Sequence, residues 1–518
     1  MFDDAHLFLT DVFAGHARRS PKKSAIVCDD ASLTWEEFDT LMNRIANALL
    51  RDGLQKGDRV AVLMGPSVEC IATMFGCVRA GAILVPCGTM LTDDQLTVLL
   101  RDSGARALVA SAEFQEQVKA VARHLPDLAE DWRVALGWQA DGWVAFDRFI
   151  RDASPLTPEI RFAPGDPFSI MYSSGTTGLP KGVVHSQRAR SFFAISNAVE
   201  MGFGPHSRTA ISTALYTAAS WIMLVPTLFA GGTVRLLAGF DPAELLHNVS
   251  EEKITHTFLV PSQILMVLQE DDLKKHDVSS LRTVLSAGSP LRPDVKRRWI
   301  DFVGNAFYEL YGFTEGAATL LRPEDHATRA NSVGAPILGT EFVVIGPDGA
   351  VLPPGSDGEL CGYCPGLMTH YYNRPEATES AIWRDPMGRS FMRSGDIGRM
   401  DAQGFVQILD RKKDMIISGG LNVYPTDLEA VLGEHPDVRD VAVIESPDEK
   451  WGERPVAFVI PAREMKSQAD EIKDWANQRL AKYQRIHDLR FVEDLPRNAL
   501  GKVLKREMRE AFASSLNV

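Results

Sequence analysis

Residues 172–182 read YSSGTTGLPKG, with four small hydroxyl residues, three glycines and a lysine in one short stretch. Glycine lets a backbone take positive φ and approach a ligand closely. Ser173, Ser174, Thr176 and Thr177 supply hydrogen-bond donors for phosphate oxygens, Gly175 keeps the turn open, and Lys181 supplies a mobile positive charge. The preceding PFSIMY is apolar and strand-like, so the loop is expected to leave the end of a strand, where α/β proteins bind their ligands. The pattern is not a Walker A loop, which needs glycine before the lysine and Ser or Thr after it; here Pro180 precedes Lys181 and Gly182 follows. A polar linker would need neither the apolar strand nor the Pro-Lys-Gly ending. A polyphosphate cradle in an α/β protein is therefore expected.

Outward from this loop, the first half of the chain alternates short apolar runs with amphipathic segments. RVAVLM (59–64), AILVPC (82–87) and ARALVAS (105–111) read as strands, with a helix over 68–79 between the first two. A second series follows the loop, with TVRLL near Thr233, THTFLV near Thr255 and LRTVLS near Leu281. Two doubly wound units are expected. Beyond Glu315, Gly and Pro become frequent and the strands short, as in EFVVIGPDG, GELCGY and GFVQILD, which predicts a small β-barrel over about 316–410. After RKKDMIISGGLNVYP the order helix, strand, strand, helix, strand, helix predicts a compact α+β domain. The expected division is an N-terminal domain over 1–412 and a C-terminal domain over 413–518.

Composition bounds the function. A chain of 518 residues exceeds a single core, and 45% hydrophobic with 24% charged residues is ordinary for a globular protein. A net charge of -13 argues against a nucleic-acid partner, so anionic ligands must be held by local donors. The six cysteines are sparse, as in a reduced compartment, and the lone CxxC of Cys361 and Cys364 is weak support for zinc. The acidic start MFDDAH does not resemble an export signal, so a cytoplasmic location is expected. Thr209 to Val234 carries no charge, yet its Ser, Thr, Pro and Gly content fits buried strand, turn and helix better than a transmembrane segment.

Four further segments carry chemistry. YELYGFTEG (308–316) brings aromatic, hydroxyl and carboxylate side chains together after an expected strand. FMRSGDIG (391–398) sets Asp396 in what reads as a glycine turn, suited to a carboxylate that takes both ribose hydroxyls. DRKKDMIISGG (410–420) follows, and LPRNALGK ends at Lys502. Each is weak alone, but together with the loop at 172–182 their order, over more than 300 residues to Lys502, is specific.

In these motifs the sequence resembles the adenylate-forming superfamily, in its acyl-CoA and aryl-CoA synthetase branch, from LTWEEFD at Leu33 to Lys502. The resemblance implies a large N-terminal domain of two doubly wound α/β subdomains plus a small β-barrel, and a mobile α+β C-terminal domain. It implies that a carboxylic acid attacks ATP to give an acyl adenylate and pyrophosphate, and that coenzyme A then displaces AMP. Lys502 is the implied catalytic lysine that bridges carboxylate and α-phosphate, with Thr314 at the α-phosphate and Glu315 at Mg²⁺. The ATP or AMP set is completed by Ser173, Ser174, Gly175, Thr176, Thr177, Lys181 and Glu309, by Tyr311 stacked on adenine opposite Gly288, Ser289 and Pro290, and by Asp396 and Arg411 at the ribose. Lys413 matches the hinge, and Ser418, Gly419 and Gly420 match the pantetheine tunnel. A homodimer is compatible with the resemblance.

The acid is the least legible part. Where the family often has Pro-Leu-Phe-His, this chain has Thr213, Ala214, Leu215 and Tyr216. Tyr216, Ala218, Ala219 and Ser220 are expected to line the acid pocket, and the lack of Asp or Glu from Thr209 to Val234 disfavours an amino acid. A fatty or aryl acid is expected, with CoA as acceptor. The alternatives are a carrier-protein pantetheine as acceptor, a luciferase-like oxygenase, and a nucleotide-binding protein without chemistry.

Overall fold

A computed structural model describes residues 6–125, 128–173, 181–289, 291–418, 421–448, 451–463, 465–497 and 502–516. The chain divides into two compact units, the first comprising residues 1–330, 336–341 and 363–382, the second residues 331–335, 342–362 and 383–518.

The first unit contains two large sheets of the expected doubly wound kind. In one, strands Val144–Ala145, Arg133–Leu136, Ala107–Ser111, Arg59–Leu63, Ile83–Pro86 and Pro167–Ser173 run parallel, and Lys181–Ser186 and His370–Tyr371 add antiparallel at the edge. In the other, Ser24–Cys28, Thr233–Leu236, Arg208–Ile211, His256–Phe258, Thr283–Ser286 and Phe307–Gly312 form the parallel run. Helix Val68–Arg79 forms where the sequence predicts it, starts on the Ser67 hydroxyl, which accepts from the Cys70 amide, and contacts strands of both sheets. Its residues are buried all round, as a helix between two sheets requires. The uncharged stretch 209–234 resolves into the strand Arg208–Ile211, the helix Ala218–Phe229 and the strand Thr233–Leu236. Among the described residues no helix is long and apolar enough to cross a membrane.

In the second unit, the Gly- and Pro-rich segment forms a five-stranded sheet in which Ser390–Met400 pairs with both Gly358–Tyr363 and Val406–Arg411. Not all of that segment stays there, since residues 363–382 belong to the first unit. The C-terminal part follows the expected order, with helices Pro425–Gly433, Ala469–Asn477 and Lys505–Leu516 around strands Val438–Asp448, Gly452–Pro461 and Asp488–Phe491. Strict alternation decides its packing. Val443, Ala457 and Val459 face one apolar cluster, while Ala442, Ile444, Val456 and Ile460 face another, which Met508 and Phe512 of the last helix complete.

Candidate active site

The expected phosphate loop joins two antiparallel strands, with Ser173 paired to Lys181, rather than a strand to a helix. Ser174, Gly175, Thr176 and Thr177, and the side chain of Ser173, lie outside the described residues, as do Pro290, Gly419 and Gly420. At the loop's start, the Tyr172 hydroxyl donates to Asp102 Oδ2 at 2.8 Å.

At the loop's end the structure assembles a polar cluster within the first unit. The Lys181 ammonium sits 4.8 Å from the Tyr371 ring centre, and the Tyr371 hydroxyl donates to Glu315 Oε1 at 2.5 Å. Burial and the Glu315 charge push the Tyr371 phenol well above its usual value, so it remains a donor. Tyr371 was not among the residues expected from sequence. It arrives on the two-residue strand His370–Tyr371, paired with Val184 and Val183, and nothing in HYYNRPEAT announces that pairing.

Thr314 and Glu315 lie in the turn after the strand Phe307–Gly312, and three anchors hold that turn. The His185 Nε2–H donates to the Thr314 carbonyl at 2.8 Å. The Met368 amide donates to the Glu315 carbonyl at 2.7 Å. Gly316 takes φ +113°, and a Cβ there would stand 2.8 Å from the Gly366 carbonyl oxygen, so only glycine fits. His185 is another residue the motifs did not single out; the sequence signal was a histidine at an inward position of the apolar run GVVHS. Burial, then the neighbouring Arg190 guanidinium, holds it well below the usual imidazole value, and it is neutral.

The remaining nucleotide candidates of this unit fall at adjoining strand ends. Gly288, at φ +97°, and Ser289 follow Thr283–Ser286, and Tyr311 is the next-to-last residue of the parallel neighbour Phe307–Gly312. These are the carboxyl ends where open α/β sheets bind ligands. Glu309 is instead ion-paired with Lys296, beside His326, which burial pulls down to about 4.

Around the acid candidates, Tyr216 is half-buried and its phenol contacts Thr89; with Leu215 it borders an apolar cavity lined by Met64, Cys70, Met74 and Cys87. Ala218 is partly exposed and Ala219 buried. The Ser220 hydroxyl is fully buried and donates to the Ala214 carbonyl at 2.7 Å, so it serves the start of helix Ala218–Phe229 rather than presenting a free donor. Trp221, the next residue, is core: its indole N–H donates to the Leu215 carbonyl at 2.8 Å and its ring meets Phe75 and Phe168.

The second unit brings together Asp396, Arg411 and Lys502. Asp396 does not sit in a glycine turn. It lies within the strand Ser390–Met400, cross-strand from Arg411, because Gly395 at φ +70° and a register shift at Ile397 and Gly398 bend the strand without ending it. Its carboxylate, 2% exposed as a residue, meets Arg411 Nε at 2.6 Å. Lys502 precedes the helix Lys505–Leu516. It is held by the Arg497 to Val503 bridge and by the Leu504 amide donating to the Pro496 carbonyl at 2.7 Å. Burial and then the Arg411 charge pull its pKa down to about 8, against the raising effect of Asp396 and Asp414. Lys413 is exposed, between the strands Val406–Arg411 and Ile416–Ser418, and Ser418 is buried and paired with Leu421 and Gly452. All six cysteines are buried and free, and no cluster of three His, Cys, Asp or Glu side chains suited to a metal occurs among the described residues.

A profile of the AMP-binding enzyme family matches residues 13–372, and one of the AMP-binding enzyme C-terminal domain matches residues 427–502. A feruloyl-CoA synthase of an Amycolatopsis species is 36% identical over 96% of this chain and 97% of its own length. The indoleacetate–CoA ligase of Aromatoleum aromaticum is 33% identical, over 96% of this chain and 97% of its own. The solved structure of the anthranilate CoA ligase AuaEII, in complex with anthranoyl-AMP, matches with a TM-score of 0.87 at 26% identity and covers 98% of both chains. With motifs, fold and near full-length likeness in agreement, the chain belongs to the AMP-binding enzyme family, in the adenylate-forming branch that ligates carboxylic acids to CoA through an acyl adenylate.

Proposed function

We propose that the chain activates an aryl or arylalkyl carboxylic acid, with Lys502, Thr314 and Glu315 as its catalytic residues. The observation that carries the residue assignment is the linked set of Lys181, Tyr371, Glu315 and the pinned Thr314. Two anions, carboxylate and triphosphate, must meet, so donors and cations have to be preorganised where charge develops. Lys181 and the hydroxyl-rich loop serve the phosphates, Thr314 the α-phosphate, and Lys502 the charge shared between acid and α-phosphate. Tyr311 with Gly288 and Ser289 serves adenine, and Asp396 with Arg411 the ribose.

Glu315 fits Mg²⁺, which needs only one or two protein carboxylates beside phosphate and water oxygens; Tyr371 aims that carboxylate by holding Oε1. When bound, the ion supplies neutralisation of phosphate charge. A cytoplasmic location goes with this reading, since ATP and CoA are both consumed.

For the acid, the reading rests on the aryl substrates named for the relatives; the apolar cavity beside Tyr216 is only about 20 Å³, so its lining side chains would have to move apart to admit a ring. The test is pyrophosphate release with hydroxycinnamic, indolic, benzoic, octanoic and amino acids, with and without CoA. Aryl acids should lead octanoate in kcat/KM by about tenfold or more, the scale of 1–3 kcal/mol of pocket contact. Octanoate in the lead, or no thioester formed with CoA, would overturn the reading.

A further inference from the structure

Arg190, on the helix Gln187–Met201, is 7% exposed and has no carboxylate partner among the described residues. Its Nη2 reaches the Ser169 hydroxyl at 3.1 Å and His185 Nδ1 at 3.2 Å, and also contacts the Met171 thioether. The guanidinium lies 4.8 Å from the Trp221 ring centre, while Nε has no hydrogen-bond partner. A cation buried without a counter-ion is expensive, and an apolar side chain of similar volume would serve stability better. What only a permanent donor can do here is set His185. A neutral imidazole carries one proton and one lone pair. The Thr314 carbonyl can only accept, so that proton is on Nε2, and Nδ1 must accept from Arg190.

We propose that Arg190 is a positioning residue for adenylate formation: by donating to His185 Nδ1 it keeps the ring proton on Nε2, aimed at the Thr314 carbonyl, and so fixes the turn that presents Thr314 and Glu315. This rests on the assignment of Thr314 and Glu315 to ATP. Without Arg190 the buried Nδ1 loses its donor, the ring is free to reorient, and the turn loses one of its three anchors.

The test uses full-length protein with ¹⁵N-labelled histidine, in which His185→Gln identifies the His185 ring signals. In the wild type His185 should show a single neutral tautomer protonated at Nε2. In Arg190→Met that signal should broaden or split, the melting temperature should stay level or rise, and kcat for pyrophosphate release should fall about tenfold to a hundredfold, the scale of sub-ångström to 1 Å misplacement. A glutamine at 185 can donate to Thr314 without help, so Arg190→Met should cost less than about twofold in the His185→Gln background, a non-additivity expected of residues in one network. Arg190→Lys, which keeps a cationic donor, should retain the Nε2–H signal, and its loss there overturns the proposal. So does an unchanged tautomer with unchanged kcat in Arg190→Met, or an equal loss in both backgrounds. Full pyrophosphate release by Glu315→Gln would instead overturn the ATP-site assignment, whatever Arg190 does.

Discussion

Lys502 carries two opposite pH dependences at the scale of a single residue. Burial and Arg411 bring its folded pKa down to about 8, from 10.5 for an unperturbed lysine. The proposed role in adenylation needs the charged form, so kcat/KM for pyrophosphate release should fall as pH rises through about 8, with the thioester half-reaction much less affected. Stability runs the other way. Between about 8 and 10.5 the unfolded lysine still binds the proton that the folded one has lost, so this group's contribution to stability improves with pH across that window. Lys502→Met should therefore melt above the wild type at pH 7, with the gap closing toward pH 10. A pH-independent gap, or adenylation unaltered up to pH 9.5, would show that Lys502 is an ordinary solvated charge.

The last helix is the element that delivers Lys502. Met508 and Phe512, one turn apart on Lys505–Leu516, close the apolar cluster on one face of the C-terminal sheet, and Val503 packs there too. Lys505 pairs with Glu429 at 2.7 Å and Arg509 with Asp414 at 2.7 Å, so polar contacts flank the same seam. Phe512→Ala should cost about 3–5 kcal/mol, as expected for a large buried aromatic truncated to a cavity. Because the helix then undocks more easily, adenylation should suffer more than thioester formation from preformed adenylate. Equal losses in the two half-reactions, measured beside urea unfolding, would disconnect the helix from Lys502.

At the scale of the whole molecule the two half-reactions ask different things of one chain. Lys502 stands near Asp396 and Arg411, which belong to the sheet before Lys413, whereas Lys502 belongs to the part after it. A rotation about Lys413 would withdraw Lys502 from that pair and leave room for the CoA thiol. Lys413 is exposed, so its side chain can be replaced at small packing cost, while proline fixes φ near -65° and restrains the backbone. Lys413→Pro should form acyl adenylate at near the wild-type rate and accumulate it, with CoA ester formation slowed about a hundredfold. Single-turnover quench experiments separate the steps, and normal CoA-ester turnover would place the pivot elsewhere or remove the need for one.

Elements and motifs were legible in the sequence because they depend on neighbours along the chain. Period-two and helical patterns gave the strands 59–63, 83–86 and 107–111, the helix 68–79 and the C-terminal order, and the motifs, beginning with the glycine- and hydroxyl-rich loop, pointed to the family. What tertiary structure alone decided is which distant groups meet. Tyr371 reaches Glu315 across 56 residues, and His185 reaches Thr314 across 129. Both contacts are fixed by strand register and by a turn that only glycine can make, and neither leaves a local trace in composition. The same holds for Asp396, where the glycine predicted a turn but cross-strand pairing with Arg411 kept the strand running, and for the lowered pKa of Lys502. A charge's ionisation depends on the dielectric and the ions that folding packs around it, and no stretch of sequence specifies those by itself.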